Sequence, residues 1–332
     1  MDQDSVQIKA SGNISLPVPL GHEAVFESLK RSFVSGRAVH AYLVTGRAGS
    51  GRFGLARALA AHLLDTDALE SQPDFCLVER GLDPKTSKPR TVIAIDQVQV
   101  LRGRLSRTAF LGGWQVAVIR DAQYLNRESG NALLKTLEEP HGQTLLLLTA
   151  PDAESVLPTV RSRCQEIRLP RISTSAIKDG LAAMGVLPSD ASLLARLADG
   201  CPARAIRYVT EPQSLAEMRG RRDQLLALSG IDYASRWQVV EKILPKKLPF
   251  QDAQERTRDF LDLTAELLHD VLLLRHGQIE RLIHLDAIDG IRRWSNSNFD
   301  PQIAAAALQE ARLQVDGNVG PRAVLQSFVL SL

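Results

Sequence analysis

Residues 41–64 read AYLVTGRAGSGRFGLARALAAHLL, and this stretch decides the fold. Its apolar run ends at Gly46, as a short buried strand would, and leucines recur at positions 55, 59 and 63, which is helical spacing. Between them lies GRAGSGRF, residues 46–53, with the glycine spacing of a phosphate-binding loop. The stretch therefore predicts a strand, a glycine-rich loop and a helix, the context in which such loops bind phosphate.

The loop lacks the two residues that complete the phosphate-binding motif. The motif continues with Lys and then Ser or Thr, which contact the outer phosphates and Mg²⁺. Here Arg52 keeps a positive charge, but Phe53 has no oxygen that could bind a metal. The candidate nucleotide-binding residues are Gly46, Gly49, Gly51 and Arg52. From these residues alone, an eroded phosphate site and a plain glycine-rich turn both fit.

A second Mg²⁺ ligand is expected at the end of a following strand, where such sites carry an Asp. The matching strand is WQVAVI, residues 114–119, and the next residue is Arg120. Asp121 comes one place later. Since both groups that would serve the ion are replaced, the sequence predicts a site that binds no Mg²⁺ and hydrolyses nothing.

Strand and helix patterns alternate through the first half of the chain. The predicted strands after the first are TVIAID at 91–96, WQVAVI at 114–119, TLLLLTA at 144–150 and QEIRL at 165–169. Helical stretches separate them, so the segment predicts a parallel α/β sheet covered on both faces, with the wholly apolar strand at 144–150 in a central position. After Pro170 the strand patterns stop and only helical patterns follow.

These patterns divide the chain into four parts. We expect a loose arm over 1–18, an α/β domain over 19–170, a small helical domain over 171–211 and a larger all-helical domain over 212–332.

Composition narrows the class of protein. The chain has 332 residues, 44% of them hydrophobic and 23% charged, as in ordinary globular proteins. A net charge of +2 gives no bulk argument for a nucleic-acid partner. There is no apolar run of the roughly 20 residues needed to span a bilayer and no secretion-signal pattern. The three scattered cysteines indicate reduced thiols, so we expect a cytoplasmic protein without disulfides.

Three segments carry a family resemblance. They are GRAVHAYLVTG at 36–46, NALLKTLEEP at 131–140 and LPTVRSRC at 157–164, and they resemble the AAA+ subunits of the bacterial sliding-clamp loader. The resemblance extends over roughly residues 20–210. It implies an AAA+ parallel-sheet domain with a degenerate phosphate loop, then a small helical lid, then an all-α collar domain that joins subunits.

Subunits of this family are of two kinds, and the residues point to one of them. Motor subunits keep the Lys-Thr loop and an acidic strand end, whereas the stationary subunit commonly has eroded versions of both. Arg52, Phe53 and Arg120 make this chain similar to the stationary kind. That kind is a non-catalytic component of the DNA polymerase III holoenzyme, a DNA-directed DNA polymerase. The alternative is a motor-type ATPase with divergent ligands.

The resemblance also implies site residues and partners. Arg163, in Ser162-Arg163-Cys164, resembles an arginine finger that acts in trans on a neighbour's ATP; otherwise it is a surface residue paired with Glu166 or Asp152. Partners implied are the gamma/tau-type motor and delta subunits, with the sliding clamp and primed DNA reached through the complex.

Two further expectations concern small ligands. Arg204 is a possible lid sensor of nucleotide or else a helix-surface charge. Many relatives carry a four-cysteine zinc module, and here that interval holds Cys76 alone, so we expect no zinc. Weak nucleotide binding without metal stays open.

Overall fold

A computed structural model of the chain describes residues 19–81, 90–228, 233–296, 300–317 and 319–331. The arm predicted over 1–18 lies outside the described residues. Two compact units make up the chain, residues 1–206 and 207–332. The division predicted at residue 170, between the α/β domain and its lid, stays a prediction.

The first unit is built on a parallel sheet. Within the described residues it has five strands: β1 Ala41–Thr45, β2 Phe75–Val78, β3 Trp114–Ile119, β4 Gln143–Ala150 and β5 Gln165–Arg168. Their order across the sheet is β2-β3-β4-β1-β5, and all adjacent pairs run parallel. Strand β4 is central, and seven of its eight residues are buried, as its apolar sequence predicts.

One predicted strand is wrong. Residues 91–96 form no strand; Ile93 makes a single bridge to Leu125, and helix begins at Ile95. The helix starts there because the Gln97 side chain accepts a hydrogen bond from the Ala94 amide at 3.1 Å and donates one to the Glu79 carbonyl at 2.8 Å. The missing edge strand is β2, which comes earlier in the chain.

Helices cover both faces of the sheet. In the first unit they are α1 Glu23–Val34, α2 Arg52–Leu63, α3 Ile95–Leu105, α4 Arg127–Glu138 and α5 Pro158–Arg161, followed by the lid helices α6 Thr174–Ala183 and α7 Pro188–Leu197. The third lid helix, α8 Pro202–Thr210, begins in the first unit and ends after residue 206. Helices α1 and α2 bury apolar side chains on one face of the sheet, and α3 and α4 do so on the other. The covered parallel sheet and the three short lid helices confirm the sequence prediction.

The second unit is helical throughout its described residues, apart from connecting turns. Its helices are α9 Pro212–Ala227, α10 Tyr233–Ile243, α11 Phe250–Arg275, α12 Ile288–Asn296, α13 Pro301–Asp316 and α14 Pro321–Ser331. One core joins them, with the Trp294 ring 1% exposed at its centre and the Phe260 and Phe328 rings in edge contact. A separate core of this size means that the unit does not depend on the sheet for its packing.

Candidate functional site

The glycine-rich loop joins β1 to α2 at the carboxyl edge of the sheet. Gly46, Gly49 and Gly51 have φ values of +154°, +80° and +99°, which side-chain-bearing residues rarely adopt. Space is also limited, since a Cβ atom at Gly49 would lie 3.0 Å from the Arg204 Cβ. The glycines predicted from the motif are therefore required by the shape of the loop and by its close approach to the lid.

Arg52 binds the loop that it follows. Its Nη1 donates a hydrogen bond to the Gly46 carbonyl at 2.6 Å, and its Nη2 lies 3.9 Å from the Asp121 carboxylate. The side chain is 14% exposed, and this burial lowers the pKa of the Arg52 guanidinium, against the opposing effect of Asp121. The cation thus binds the backbone of the loop itself.

Phe53 takes the place of the Ser or Thr that binds Mg²⁺ in the complete motif, and its ring stacks with two arginines. The guanidinium carbon of Arg120 lies 4.7 Å from the centre of the ring, and that of Arg57 lies 5.6 Å away. Arg120 also pairs with Glu79 at 3.2 Å and with Asp121 at 3.7 Å. Mg²⁺ requires oxygen ligands in octahedral geometry, and a ring and a cation occupy the two positions that should supply them. The residues present do not fit a Mg²⁺-nucleotide.

The loop is fastened to the lid by two kinds of contact. The Gly49 carbonyl accepts hydrogen bonds from the amides of Ala203 at 2.9 Å and Arg204 at 3.3 Å, at the start of α8. These amides belong to the set that a helix leaves unpaired at its N-terminus. The loop carbonyl therefore accepts from two amides of the first turn of α8, of which the Arg204 amide also donates to the Cys201 carbonyl at 3.0 Å. Arg204, the possible sensor, meets the loop through its backbone and Cβ.

A charged cluster joins the same two elements. Asp199 has a left-handed backbone at φ +47°, and its carboxylate pairs with Arg47 of the loop at 3.0 Å and with Arg171 after β5. The Asp199 side chain is 14% exposed, while both arginines are about half exposed. We call these three residues the lid latch. Together with the Gly49 carbonyl, they hold loop and lid in one arrangement.

Arg163 is paired within the chain. It follows α5, and its guanidinium donates to the Glu138 carboxylate from Nε at 2.8 Å and Nη2 at 2.5 Å, and to the Thr159 carbonyl at 3.0 Å. The sequence analysis named Glu166 or Asp152 as the partner in the surface alternative, whereas the structure pairs Arg163 with Glu138. Glu166 accepts from the Thr45 hydroxyl, and Asp152 from the Ser155 amide.

Sequence reasoning missed both Glu138 and the lid latch. Glu138 lies inside NALLKTLEEP, a segment used only for its family resemblance. Arg163 and Glu138 are 25 residues apart in the sequence, and Arg47 and Asp199 are 152 residues apart. Pairs so far apart leave no local signal in the sequence. The one visible hint was the Asp199-Gly200 dipeptide, a common turn sequence.

The cysteines are separate from one another, and their thiols are weak acids. Burial raises the pKa of the Cys164 thiol to about 12, and burial also raises the pKa of Cys76 and Cys201. In the part of the chain that the structure describes, no group of three or more His, Cys, Asp or Glu side chains could hold a metal ion. No helix among the described residues is long and apolar enough to span a membrane.

The strand order, the glycine-rich loop after β1 and the helical lid place the first unit in the AAA+ class of α/β domains. Comparison with known proteins is more specific. The family described as "DNA polymerase III, delta subunit" matches residues 21–173. The DNA polymerase III subunit delta' of Bacillus subtilis is 25% identical over 317 residues, 93% of this chain and 95% of that protein. Over most of its length the chain is similar to DNA polymerase III delta' subunits.

The chain is also similar to two further proteins. The delta' subunit of Pseudomonas aeruginosa is 37% identical over 211 residues, 57% of this chain and 62% of that protein. The match therefore spans about three fifths of that relative. A crystal structure of a DNA polymerase III gamma subunit-related protein from Thermotoga maritima is 18% identical, with a TM-score of 0.45 over 92% of this chain and 97% of that one.

Proposed function

We propose that this chain is the non-catalytic, stationary subunit of the DNA polymerase III clamp loader, and that it supports loading of the sliding clamp during DNA replication. The observation that carries this proposal is the arrangement around Phe53. The ring stacks with Arg120 and Arg57 at the position of a metal ligand, and Arg52 is hydrogen-bonded to the carbonyl of Gly46. A chain with these groups lacks the oxygens that would bind the metal of an ATPase site.

The lid latch supports a stationary role. The family resemblance implies that, in active relatives, the lid senses nucleotide bound at the loop. Here the Gly49 carbonyl and the Asp199 carboxylate connect the loop to the lid through the protein's own groups. A ligand shifts a conformational equilibrium only by its differential affinity for the two states. Because the unit forms its own contacts between loop and lid, we infer that nucleotide would shift the position of the lid only slightly.

An arginine finger is the catalytic contribution we assign to the chain. Arg163 is 35% exposed and Glu138 is 50% exposed, and an exposed pair contributes only about 0–1 kcal/mol. Leaving Glu138 for the phosphates of a neighbouring subunit therefore costs little. A guanidinium can bind phosphate oxygens through paired hydrogen bonds, and an arginine supplied in trans raises phosphoryl transfer strongly.

The partners follow from the proposed role. We infer that the chain joins gamma/tau-type motor subunits and a delta subunit in the cytoplasm, and that clamp and primed DNA are partners of the complex. The second unit is the collar that makes the subunit contacts.

Two measurements on purified proteins test the role. The lone chain, free of motor subunit, should release no phosphate from Mg²⁺-ATP above a protein-free blank, while the motor subunit of the same organism serves as the positive control. Gel filtration with motor and delta subunits should give one stable mixed complex. Turnover by the lone chain at about 1 per second, the low end of typical enzymes, would instead establish a motor-type ATPase.

A further inference from the structure

Helix α13 is apolar on two opposite faces. The face packed into the core of the second unit consists of Pro301, Ala304, Leu308, Ala311 and Val315. Exposed apolar residues lie two places after three of these: Ile303, Ala306 and Leu313. A step of two residues turns a helix by about 200°, so these residues point away from the core. A helix with apolar residues all round is normally covered on both sides.

The outward residues form one continuous line. Ile303, Ala306, Glu310 and Leu313 follow one another at steps of three, four and three residues; we call them the outer seam. The seam is about 15 Å long at 1.5 Å per residue. Ile303 is 62% exposed and Leu313 is 74% exposed, while Ala306 between them allows close approach. Steps of three and four are the spacing by which one helix packs along another, so the pattern selects a helix as the occupant.

Charge indicates what kind of helix fits. Glu310 stands within the seam, is exposed, and accepts a hydrogen bond from the Gln314 amide at 3.0 Å. Among the described residues it has no ion-pair partner. The arginines beside the seam are neutralised within the chain, Arg312 by Asp262 at 2.5 Å and Arg258 by Asp316 at 2.9 Å. The seam thus presents apolar side chains and one unpaired negative charge, which is complementary to an apolar helix that carries a Lys or Arg.

We propose that the outer seam of α13 binds an amphipathic helix of a neighbouring clamp-loader subunit, with apolar residues along the seam and a basic residue opposite Glu310. This inference rests on the proposed function, which makes the second unit a collar. It adds the particular surface and the chemistry of the partner helix.

The test uses the full-length chain with purified gamma-type motor and delta subunits of the same organism. The test variant is Ile303→Ser/Leu313→Ser, and a second is Glu310→Lys. The matched control is Leu272→Ser/Leu330→Ser, which removes two exposed apolar side chains of the same unit, 41% and 40% exposed, from outside the seam. Sedimentation velocity gives the Kd of the mixed complex, and circular dichroism confirms that each variant is folded.

We expect the seam double variant to raise the Kd at least about tenfold, because truncating an interface anchor costs more than about 1 kcal/mol and 1.4 kcal/mol is a factor of ten. Glu310→Lys should also weaken the complex, and the control should match the wild type. A wild-type complex that the seam variants leave unchanged refutes the seam while the proposed function stands.

Two other outcomes concern the proposed function and the identity of the partner. A wild-type chain that enters no mixed complex refutes the proposed function and, with it, the partner assigned here. Self-association of the wild-type chain alone, abolished by the seam variant, would show that a second copy is the occupant and would overturn the assignment.

Discussion

Replacing Gly49 with Ala tests whether the glycine-rich loop is fastened to the lid. Two costs are expected at this position. A side-chain-bearing residue at φ +80° costs about 1–2 kcal/mol. The new Cβ would also lie 3.0 Å from the Arg204 Cβ and 3.4 Å from both the Arg204 amide nitrogen and the Cys201 Cβ. These atoms are backbone or close to it, so the lid must shift, and overpacking of this kind costs about 1–3 kcal/mol.

Gly36→Ala is the matched control, because it separates the two costs. Gly36 has φ +66°, so the backbone penalty is similar, but nothing lies within 4 Å of a Cβ built there. The difference between the variants is then the loop-to-lid contact alone, about 1–3 kcal/mol.

Hydrogen exchange measures that difference locally, which suits a chain of two units that need not unfold together. The Ala203 amide donates to the Gly49 carbonyl at 2.9 Å and should be protected in the wild type. Gly49→Ala should speed its exchange by about 5- to 150-fold, at tenfold per 1.4 kcal/mol, while Gly36→Ala leaves it unchanged. Equal Ala203 exchange in the two variants would refute the fastening of loop to lid.

Four further predictions follow from the contacts described. Arg163→Ala should leave assembly intact and lower the clamp- and DNA-stimulated ATPase of reconstituted loader in part, whereas Glu138→Gln, which breaks the same pair but keeps the arginine, should not lower it; equal losses would make the pair merely structural. Asp199→Asn keeps a side chain that tolerates φ +47° and removes its charge, so it should weaken loop-to-lid protection by about 1 kcal/mol, and unchanged exchange would count against the lid latch. Cys164, whose burial raises its pKa to about 12, should react with iodoacetamide at pH 8 much more slowly than a free thiol, because far less of it is thiolate; labelling at the free-thiol rate would contradict this. Elemental analysis should find no stoichiometric zinc, and one zinc per chain would contradict that expectation.

Local patterns were enough to predict most of the first unit. The strand, loop and helix over 41–64 follow from spacing within a few residues, and the replacement of metal ligands by Phe53 and Arg120 is visible from residue type alone. The edge strand β2 was missed because it has four residues and only its first and last are buried. Residues 91–96 were misread as a strand because their apolar residues resemble a strand in sequence. Ile93 is indeed fully buried, but it makes a single isolated bridge.

The contacts that decide the behaviour of the site were beyond sequence patterns. Asp199 and Arg47 meet only because the lid folds back on the sheet, and Glu138 meets Arg163 because α4 and α5 end side by side. Such pairs depend on tertiary packing, for which the sequence has no periodic signal.

The stack of Arg57, Phe53 and Arg120 couples the residues that would have to change to give a metal-binding loop. Because both arginines contact the Phe53 ring, substitutions at Phe53 and at either arginine are expected to be non-additive. Changing Phe53 to Thr alone would remove the ring on which the two arginines stack. The threonine hydroxyl that replaces it is neutral and would compensate neither positive charge. Changing Arg120 to Asp alone would place a carboxylate over the ring and leave Glu79 without its cation. Neither single change therefore gives a metal-binding loop without losing a ring contact or an ion pair, so the effects of changing the two positions are expected to be coupled.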